Sequence, residues 1–267
     1  MKISDQEYLK EKQYKTAENL YTRMYLHQRF GTNRINWHQW VFEQISPQEG
    51  MRILEVGCGP GKLWKENLTR LPDGMQLFSS DLSIGMLKSA KIVIGKIPES
   101  SVTCFDVQYI PLISGFFDIV IANHMLYHVP DIDLGLKEIS RVLKPNGKFY
   151  AATNGFNHMQ ELMELVALIS PEYKQKRKQI KRFALENANR IMELRFDDVE
   201  IEYFDANLKV TETEPLVSYV LSMIDFYEDL QQGKVMEMET LINNEIDYQG
   251  YFFISKSQGL VKCNQKE

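Results

Sequence analysis

The run Ile53-Leu54-Glu55-Val56-Gly57-Cys58-Gly59-Pro60-Gly61 constrains this chain more tightly than any other stretch, because it joins a buried strand to a glycine-rich turn. Ile53, Leu54 and Val56 give the continuous apolar run of a central parallel strand. Glycines at the alternate positions 57, 59 and 61 then strip away side chains, so backbone amides can approach a ligand closely. Positive φ is open to them, which lets the chain turn sharply into a helix beginning at Lys62-Leu63-Trp64. The spacing is GxGxG, not the GxGxxG of a dinucleotide fingerprint. Taken alone, such a loop is equally compatible with a tight turn that binds nothing.

Acids placed after it narrow the choice. Glu55 stands two residues before the first glycine, where a carboxylate would repel a pyrophosphate and attract a ligand bearing an ammonium and a sulfonium. Asp81 follows a second apolar segment, Met75 to Ser80, twenty positions after Gly61, a separation at which an acid commonly takes both ribose hydroxyls. Asp106 follows Val102-Thr103-Cys104-Phe105 after a further 25 positions, about one strand-helix repeat. Its carboxylate could accept from an adenine amine while the Val107 amide faces the ring. Asp81 could instead cap a helix starting near Ser83, and Asn123 could be an ordinary turn residue.

Strand-like segments near 52–56, 75–80, 101–105, 117–122 and 147–153 alternate with helical stretches near 62–70, 84–95 and 131–143. Such alternation predicts an α/β fold, a doubly wound parallel sheet. Asp131 is the expected cap of a helix that turns Leu134, Ile139, Val142 and Leu143 towards the sheet, and Pro145-Asn146-Gly147 ends it. Before the core, residues 5–44 read as aromatic-rich helices, with Thr32 or Asn33 as the cap for a helix over Asn36 to Ile45. After it, 157–191 reads as helical and carries the basic run Lys174, Lys176, Arg177, Lys178, Lys181, Arg182, best explained as a solvated face. Val199 to Phe204 alternates as a strand should, 215–230 is helical, and Tyr251–Ser255 with Leu260–Cys263 reads as a terminal hairpin turning at Ser257-Gln258-Gly259.

Glu55 to Gly61, Asp81 to Leu87, Phe105-Asp106-Val107, Phe117 to Asn123 and Leu143 to Gly147 together resemble the class I S-adenosylmethionine-dependent methyltransferases. The similarity is greatest to the small-molecule branch that includes the ubiquinone and menaquinone methyltransferases, and it runs from about Met51 to Thr153. It implies a Rossmann-like seven-stranded, mostly parallel sheet closed by an antiparallel C-terminal hairpin. It also implies that Glu55, Gly57, Cys58, Gly59 and Gly61 hold the methionine part of S-adenosylmethionine and that Asp81 holds the ribose. Asp106 and Val107 would take the adenine between Leu82 and Met86, with Asn123 beneath the methionine. A single domain over 1–267 is expected: an N-terminal helical cap at 1–45, a cofactor-binding core at 51–153, a helical lid at 155–195, and closing strands with a helix at 196–267.

For chemistry, the loop after the fourth strand offers His128 first, since imidazole titrates near neutrality, with Tyr127 and His124 able to orient an acceptor. Relatives often carry a histidine pair here, whereas the first member of that pair is Tyr127 in this chain. Tyr21, Tyr25 and His27 are the acceptor-binding candidates of the N-terminal helices. Asp131 and Asp133 read as helix-start residues, so no metal is expected. The Asn-Pro-Pro-aromatic clamp of nucleobase amine methylation is missing from Asn123-His124-Met125-Leu126. With a net charge of −5, nucleic acid is disfavoured as a partner. The expected partner is a small-molecule methyl acceptor.

A hydrophobic fraction of 44% over 267 residues suffices for one α/β core with an appended lid. Cys58, Cys104 and Cys263 lack CxxC spacing and read as reduced thiols, Cys58 as packing, which together with the polar start of the chain and the lack of any 20-residue apolar run fits a cytoplasmic protein without a membrane span. Two rivals remain at this level: a nicotinamide oxidoreductase, disfavoured by Glu55 and the GxGxG spacing, and a non-catalytic S-adenosylmethionine-binding protein. Neither the acceptor nor the oligomeric state follows from the residues.

Overall fold

The computed structural model describes residues 6–8, 15–170, 182–223 and 232–266. In chain order, a helical turn α1 (Gln6–Tyr8) and helices α2 (Glu18–Phe30) and α3 (Trp37–Ile45) precede strand β1 (Arg52–Val56). The core continues as α4 (Lys62–Lys65), β2 (Gln76–Ser80), α5 (Ile84–Ile94), β3 (Ser100–Thr103), β4 (Phe117–Asn123), α6 (Ile132–Val142) and β5 (Leu143–Asn154). Then come α7 (Gln160–Ile169), α8 (Leu185–Met192), β6 (Phe196–Tyr203), β7 (Leu208–Val210), α9 (Thr213–Leu221), α10 (Gln232–Gln249), β8 (Phe252–Ile254) and β9 (Gln258–Gln265).

Seven strands form one sheet in the order β3-β2-β1-β4-β5-β9-β6. The first five are parallel, and β9 enters antiparallel between β5 and β6. The order reverses between β1 and β4, which opens a crevice at their C-terminal ends, the place where open α/β sheets bind ligands. The central strands are apolar because both faces are covered. Leu54, Val56, Val120, Ala122 and Phe149 pack on one side with Leu136, Ile139 and Val142 of α6. Ile53, Leu77, Ile119 and Ile121 pack on the other with Val41, Phe42, Trp64 and Ile94. Alternate residues of one strand thus belong to two cores, as the two-residue period of a strand requires.

A third cluster lies off the sheet. Leu26 and Phe30 of α2 meet Leu162 and Val166 of α7, Leu216 and Val220 of α9, and Met238 of α10. The short antiparallel ribbon β7-β8 joins this cluster through Leu208, Val210 and Ile254, and a bridge between Gly31 and Leu208 ties it to the end of α2. Helices α2, α7, α9 and α10 therefore form one cap over the crevice, whereas α3 packs on one face of the sheet through Val41 and Phe42 and α8 on the other through Ala188 and Met192.

Several local expectations change. Tyr251–Ser255 and Leu260–Cys263 do not form a hairpin: β8 pairs with β7, whereas β9 crosses to the main sheet. The turn-like Ser257-Gln258-Gly259 is the crossing point, and Gln258 already pairs with Asn154. The stretch 62–70 splits into α4 and a 3-10 turn at Leu68–Arg70. Asn36, not Thr32 or Asn33, caps α3, its side chain accepting from the His38 amide at 2.8 Å. Leu134 is not among the buried residues of α6; Leu136 takes its place, because positions 132, 135, 136, 139 and 142 share one helical face, and Leu143 already belongs to β5. Asp131 caps α6 as expected, accepting from the Leu134 amide at 3.0 Å. Of the basic run only Arg182 is described; positions 174–181, and 224–230 of the expected 215–230 helix, lie outside the described residues.

Candidate active site

A cavity of about 820 Å³ opens over the C-terminal ends of β1, β2 and β4. That is within the roughly 300–1,000 Å³ usual for small-molecule and cofactor sites. Its floor is the glycine loop, with Gly57 and Gly59 at φ of +66° and +55°, whereas Gly61, at φ of +76°, does not line the cavity and faces Ala90 and Ile94 of α5 instead. The loop is pinned by the Cys58 amide donating to the Ser80 carbonyl at 2.9 Å. A Cβ built on Gly57 would stand 2.7 Å from Met125 Cβ. Gly57→Ala should therefore lower the unfolding free energy by roughly 1–3 kcal/mol from backbone strain alone, a loss readable as a reduced Tm. An unchanged Tm would show that the loop yields freely.

All three strand-end acids line this cavity. Glu55 is 2% exposed and accepts from Trp64 Nε1 at 2.6 Å. Burial, with the Trp64 hydrogen bond opposing it and the Asp81 charge adding to it, pushes its carboxyl up to about 8, so Glu55 is mostly protonated at neutral pH before a cofactor binds. Asp81 Oδ2 accepts from the Gly59 amide at 2.9 Å and Oδ1 from the Ser83 amide at 2.8 Å. Burial raises its carboxyl, and these backbone donors counter the shift. It is not the cap of α5; Ser83 is, accepting from the Met86 amide at 3.2 Å.

Asp106 is engaged more heavily than the sequence indicates. The Gln108 amide and side chain donate to it at 2.9 Å each, and Gln6 Nε2 donates at 2.6 Å from α1. Leu82, Met86 and Val107 also line this end. Asn123 Oδ1 accepts from Trp37 Nε1 at 3.3 Å, tying the end of β4 to α3. Cys58 is buried with its thiol pushed up by that burial, in keeping with packing.

The rest of the wall is built by the loop after β4 and by the cap. His124 has φ of +55° and packs at a tilt against the Trp37 ring, 5.0 Å between centroids. Burial, aided by the neighbouring His38, lowers its imidazole to about 3. Tyr127 and His128 meet edge to face at 4.5 Å, and both line the cavity. His27 lines it too, its ring edge to face with Tyr219 at 5.7 Å.

Tyr21 and Tyr25 do not line the main cavity. They are 46% and 47% exposed and flank a separate shallow groove, where Arg29 donates to the Tyr25 hydroxyl at 2.9 Å. Positions 20, 23 and 27 of α2 share the face turned to the cavity, and 21 and 25 are rotated away from it. Sequence reading also missed Trp37, His38, His158, Tyr219, Lys256 and Gln258, all at the cavity wall. Histidine is the one signal that would have found some of them, since all five histidines of the chain line this one cavity. Among the described residues, no group of three or more His, Cys, Asp or Glu side chains is arranged to hold a metal ion. No described helix is long and apolar enough to cross a membrane.

Comparison with known proteins agrees with this geometry. Residues 54–151 match the family model of a methyltransferase domain. A malonyl-[acyl-carrier protein] O-methyltransferase of Legionella pneumophila is 34% identical over 119 residues, covering 45% of this chain and 40% of that protein. A ubiquinone/menaquinone biosynthesis C-methyltransferase of Geotalea uraniireducens is 31% identical over 122 residues, covering 45% of this chain and 52% of that one. The matched part thus spans about half or less of these relatives. Among solved structures, the Haemonchus contortus phosphoethanolamine N-methyltransferase 2 in complex with S-adenosyl-L-methionine superposes with a TM-score of 0.61 at 18% identity, over 100% of this chain and 60% of that one, a likeness of fold. Fold, glycine loop, strand-end acids and family match converge, and the chain carries a class I S-adenosylmethionine-dependent methyltransferase domain.

Proposed function

We propose that the protein moves the methyl group of S-adenosylmethionine to oxygen, nitrogen or carbon of a small metabolite. One observation carries this reading: Glu55, Asp81 and Asp106 line the same single cavity as His128, Tyr127 and His124. In the proposed complex Asp81 takes the ribose hydroxyls with the lone pairs its backbone donors leave free. Asp106 receives the adenine amine in exchange for, or beside, the Gln6 amide. Glu55 faces the cationic methionine portion, and the Gly57–Gly61 loop lies against it.

Methyl transfer from a sulfonium is an in-line displacement: the nucleophile bonds to the methyl carbon as the carbon–sulfur bond breaks and the electron pair returns to sulfur. Most of the rate can come from collinear alignment in a water-poor cleft, worth up to about 7–11 kcal/mol in favourable intramolecular cases. Where the acceptor must lose a proton, His128 is the base. His124, held near 3, is too weak a base at neutral pH and serves as wall and hydrogen-bonding group.

His128→Gln should lower kcat roughly 10²-fold or more and leave S-adenosylhomocysteine affinity unchanged; an unaltered kcat would remove His128 from proton transfer. The reading itself is tested by incubating the protein with labelled S-adenosylmethionine and a broad panel of small acceptors. Release of S-adenosylhomocysteine with one acceptor class is expected. Tight cofactor binding with silence across the panel would count against an enzyme.

A further inference from the structure

One row of the sheet changes character at its end. On the face where α3 packs, Ala152 of β5 lies opposite Leu260 of β9, and both belong to the apolar cluster that α3 joins. The next pair along that row, two residues on in each strand, is Asn154 opposite Gln258. Residues directly opposed on antiparallel strands hold their Cβ atoms roughly 4.5–5.5 Å apart. Two carboxamides therefore stand side by side where the row would otherwise continue with aliphatic groups. Both residues line the cavity.

Asn154 Oδ1 and Gln258 Nε2 are buried and have no hydrogen-bond partner among the described residues. Gln258 is 6% exposed and Asn154 is half-buried. A buried acceptor and a buried donor left unmatched oppose folding, whereas apolar side chains of similar shape would not. The pair thus serves something other than the fold. The wall beside it is aromatic. The Phe204 amide donates to the Gln258 carbonyl at 3.0 Å, which sets Phe204 next to the pair, and its ring meets Trp37 edge to face at 5.4 Å between centroids. Both rings line the cavity.

We propose that Asn154 and Gln258 form the subsite that reads the methyl acceptor, and that the acceptor presents to them an uncharged group with a hydrogen-bond donor and an acceptor on one edge, a primary carboxamide or a lactam. Its N–H donates to Asn154 Oδ1 and its carbonyl accepts from Gln258 Nε2, so one contact answers both unmatched atoms. A ketone or a carboxylate has no donor for Asn154 Oδ1. Lys256, two positions before Gln258, also lines the cavity and would attract a carboxylate, which makes that anion the rival ligand. A site built to hydrogen-bond a substrate N–H rejects the analogue lacking it far more strongly than an apolar pocket rejects a change of size. Assigning the group to the methyl acceptor rests on the methyltransferase reading; the subsite itself does not.

NMR of the side-chain amides reads the two residues directly, their signals being assigned by loss in Asn154→Leu and in Gln258→Leu. The protein saturated with S-adenosylhomocysteine is titrated with benzamide, with benzoate and with acetophenone. Benzamide should shift both amide signals saturably and bind roughly tenfold or more tighter than either analogue. Each Leu variant should lose roughly tenfold or more of the benzamide affinity, read on the remaining amide. S-adenosylhomocysteine affinity, measured by calorimetry, should stay unchanged, and Tm should hold or rise because an unmatched buried group has been removed. Equal binding of benzoate or acetophenone, benzamide binding unaltered in both variants, no benzamide shift, or a lowered Tm in both variants would overturn the proposal. The titration is repeated on the cofactor-free protein. A benzamide response through both amides there, with no binding of S-adenosylhomocysteine, would sink the methyltransferase reading and leave the subsite standing; S-adenosylhomocysteine binding with silent amides would remove the subsite alone.

Discussion

Replacing Asp81 with Ala should raise the dissociation constant for S-adenosylmethionine roughly a hundredfold or more, about 3 kcal/mol, the scale of two lost charge-assisted hydrogen bonds. Two losses combine. The ribose hydroxyls lose a carboxylate acceptor, and the Gly59 and Ser83 amides lose the group that fixes the glycine loop beside the start of α5. Asp81→Asn keeps the shape and one acceptor oxygen, so its loss should be intermediate. Calorimetric titration of both variants measures this, with Tm recorded alongside to separate loop loosening from lost contacts. Unchanged affinity in Asp81→Ala would remove Asp81 from the site.

Glu55 gives the second large effect, and it is one of proton linkage. With its carboxyl near 8 before cofactor binds, Glu55 is mostly protonated at pH 7, and the cofactor's ammonium and sulfonium favour the ionised form. Binding should therefore release about one proton at pH 7, visible as a dependence of the binding heat on the buffer's ionisation enthalpy. Affinity should rise with pH up to about 8 by as much as about tenfold per unit, then level off.

Stability of the protein without added cofactor runs the opposite way. Because the folded carboxyl titrates above its unfolded value, the fold holds a proton that the unfolded chain has lost, and stability falls as pH rises from about 4.5 to about 8. Glu55→Gln should abolish the proton release and flatten both profiles. Proton release that persists in Glu55→Gln would assign it to another group.

The strand-end acids were legible because each is tied to local order. A buried strand, a glycine turn and a repeat length fix where Glu55, Asp81 and Asp106 must emerge, whatever the rest of the chain does. What the cavity does to them was not. The protonated state of Glu55 depends on Trp64 and on burial, and the engagement of Asp106 depends on Gln6, one hundred residues away in sequence.

The acceptor end was legible only in part. His124, Tyr127 and His128 follow a strand end and could be placed, whereas the cap residues come from four separate segments that only the third hydrophobic cluster brings together. On α2 the sequence supplied the right helix and partly the wrong face. Tyr21 and Tyr25 stood out as aromatics, but Arg23 and His27 hold the phase that meets the cavity. The C-terminal pairing was misread for a related reason. Ser257-Gln258-Gly259 has turn chemistry, and nothing local says that β8 already has β7 as its partner.

All of this depends on a cavity whose carboxylates accept a cationic adenosine derivative and reject a pyrophosphate. Calorimetric titration with S-adenosylmethionine and, separately, with NAD tests that contrast directly. The account predicts saturable one-to-one binding of S-adenosylmethionine, weakened by Asp81→Ala, and no binding heat with NAD. Saturable binding of NAD with none of S-adenosylmethionine would contradict it.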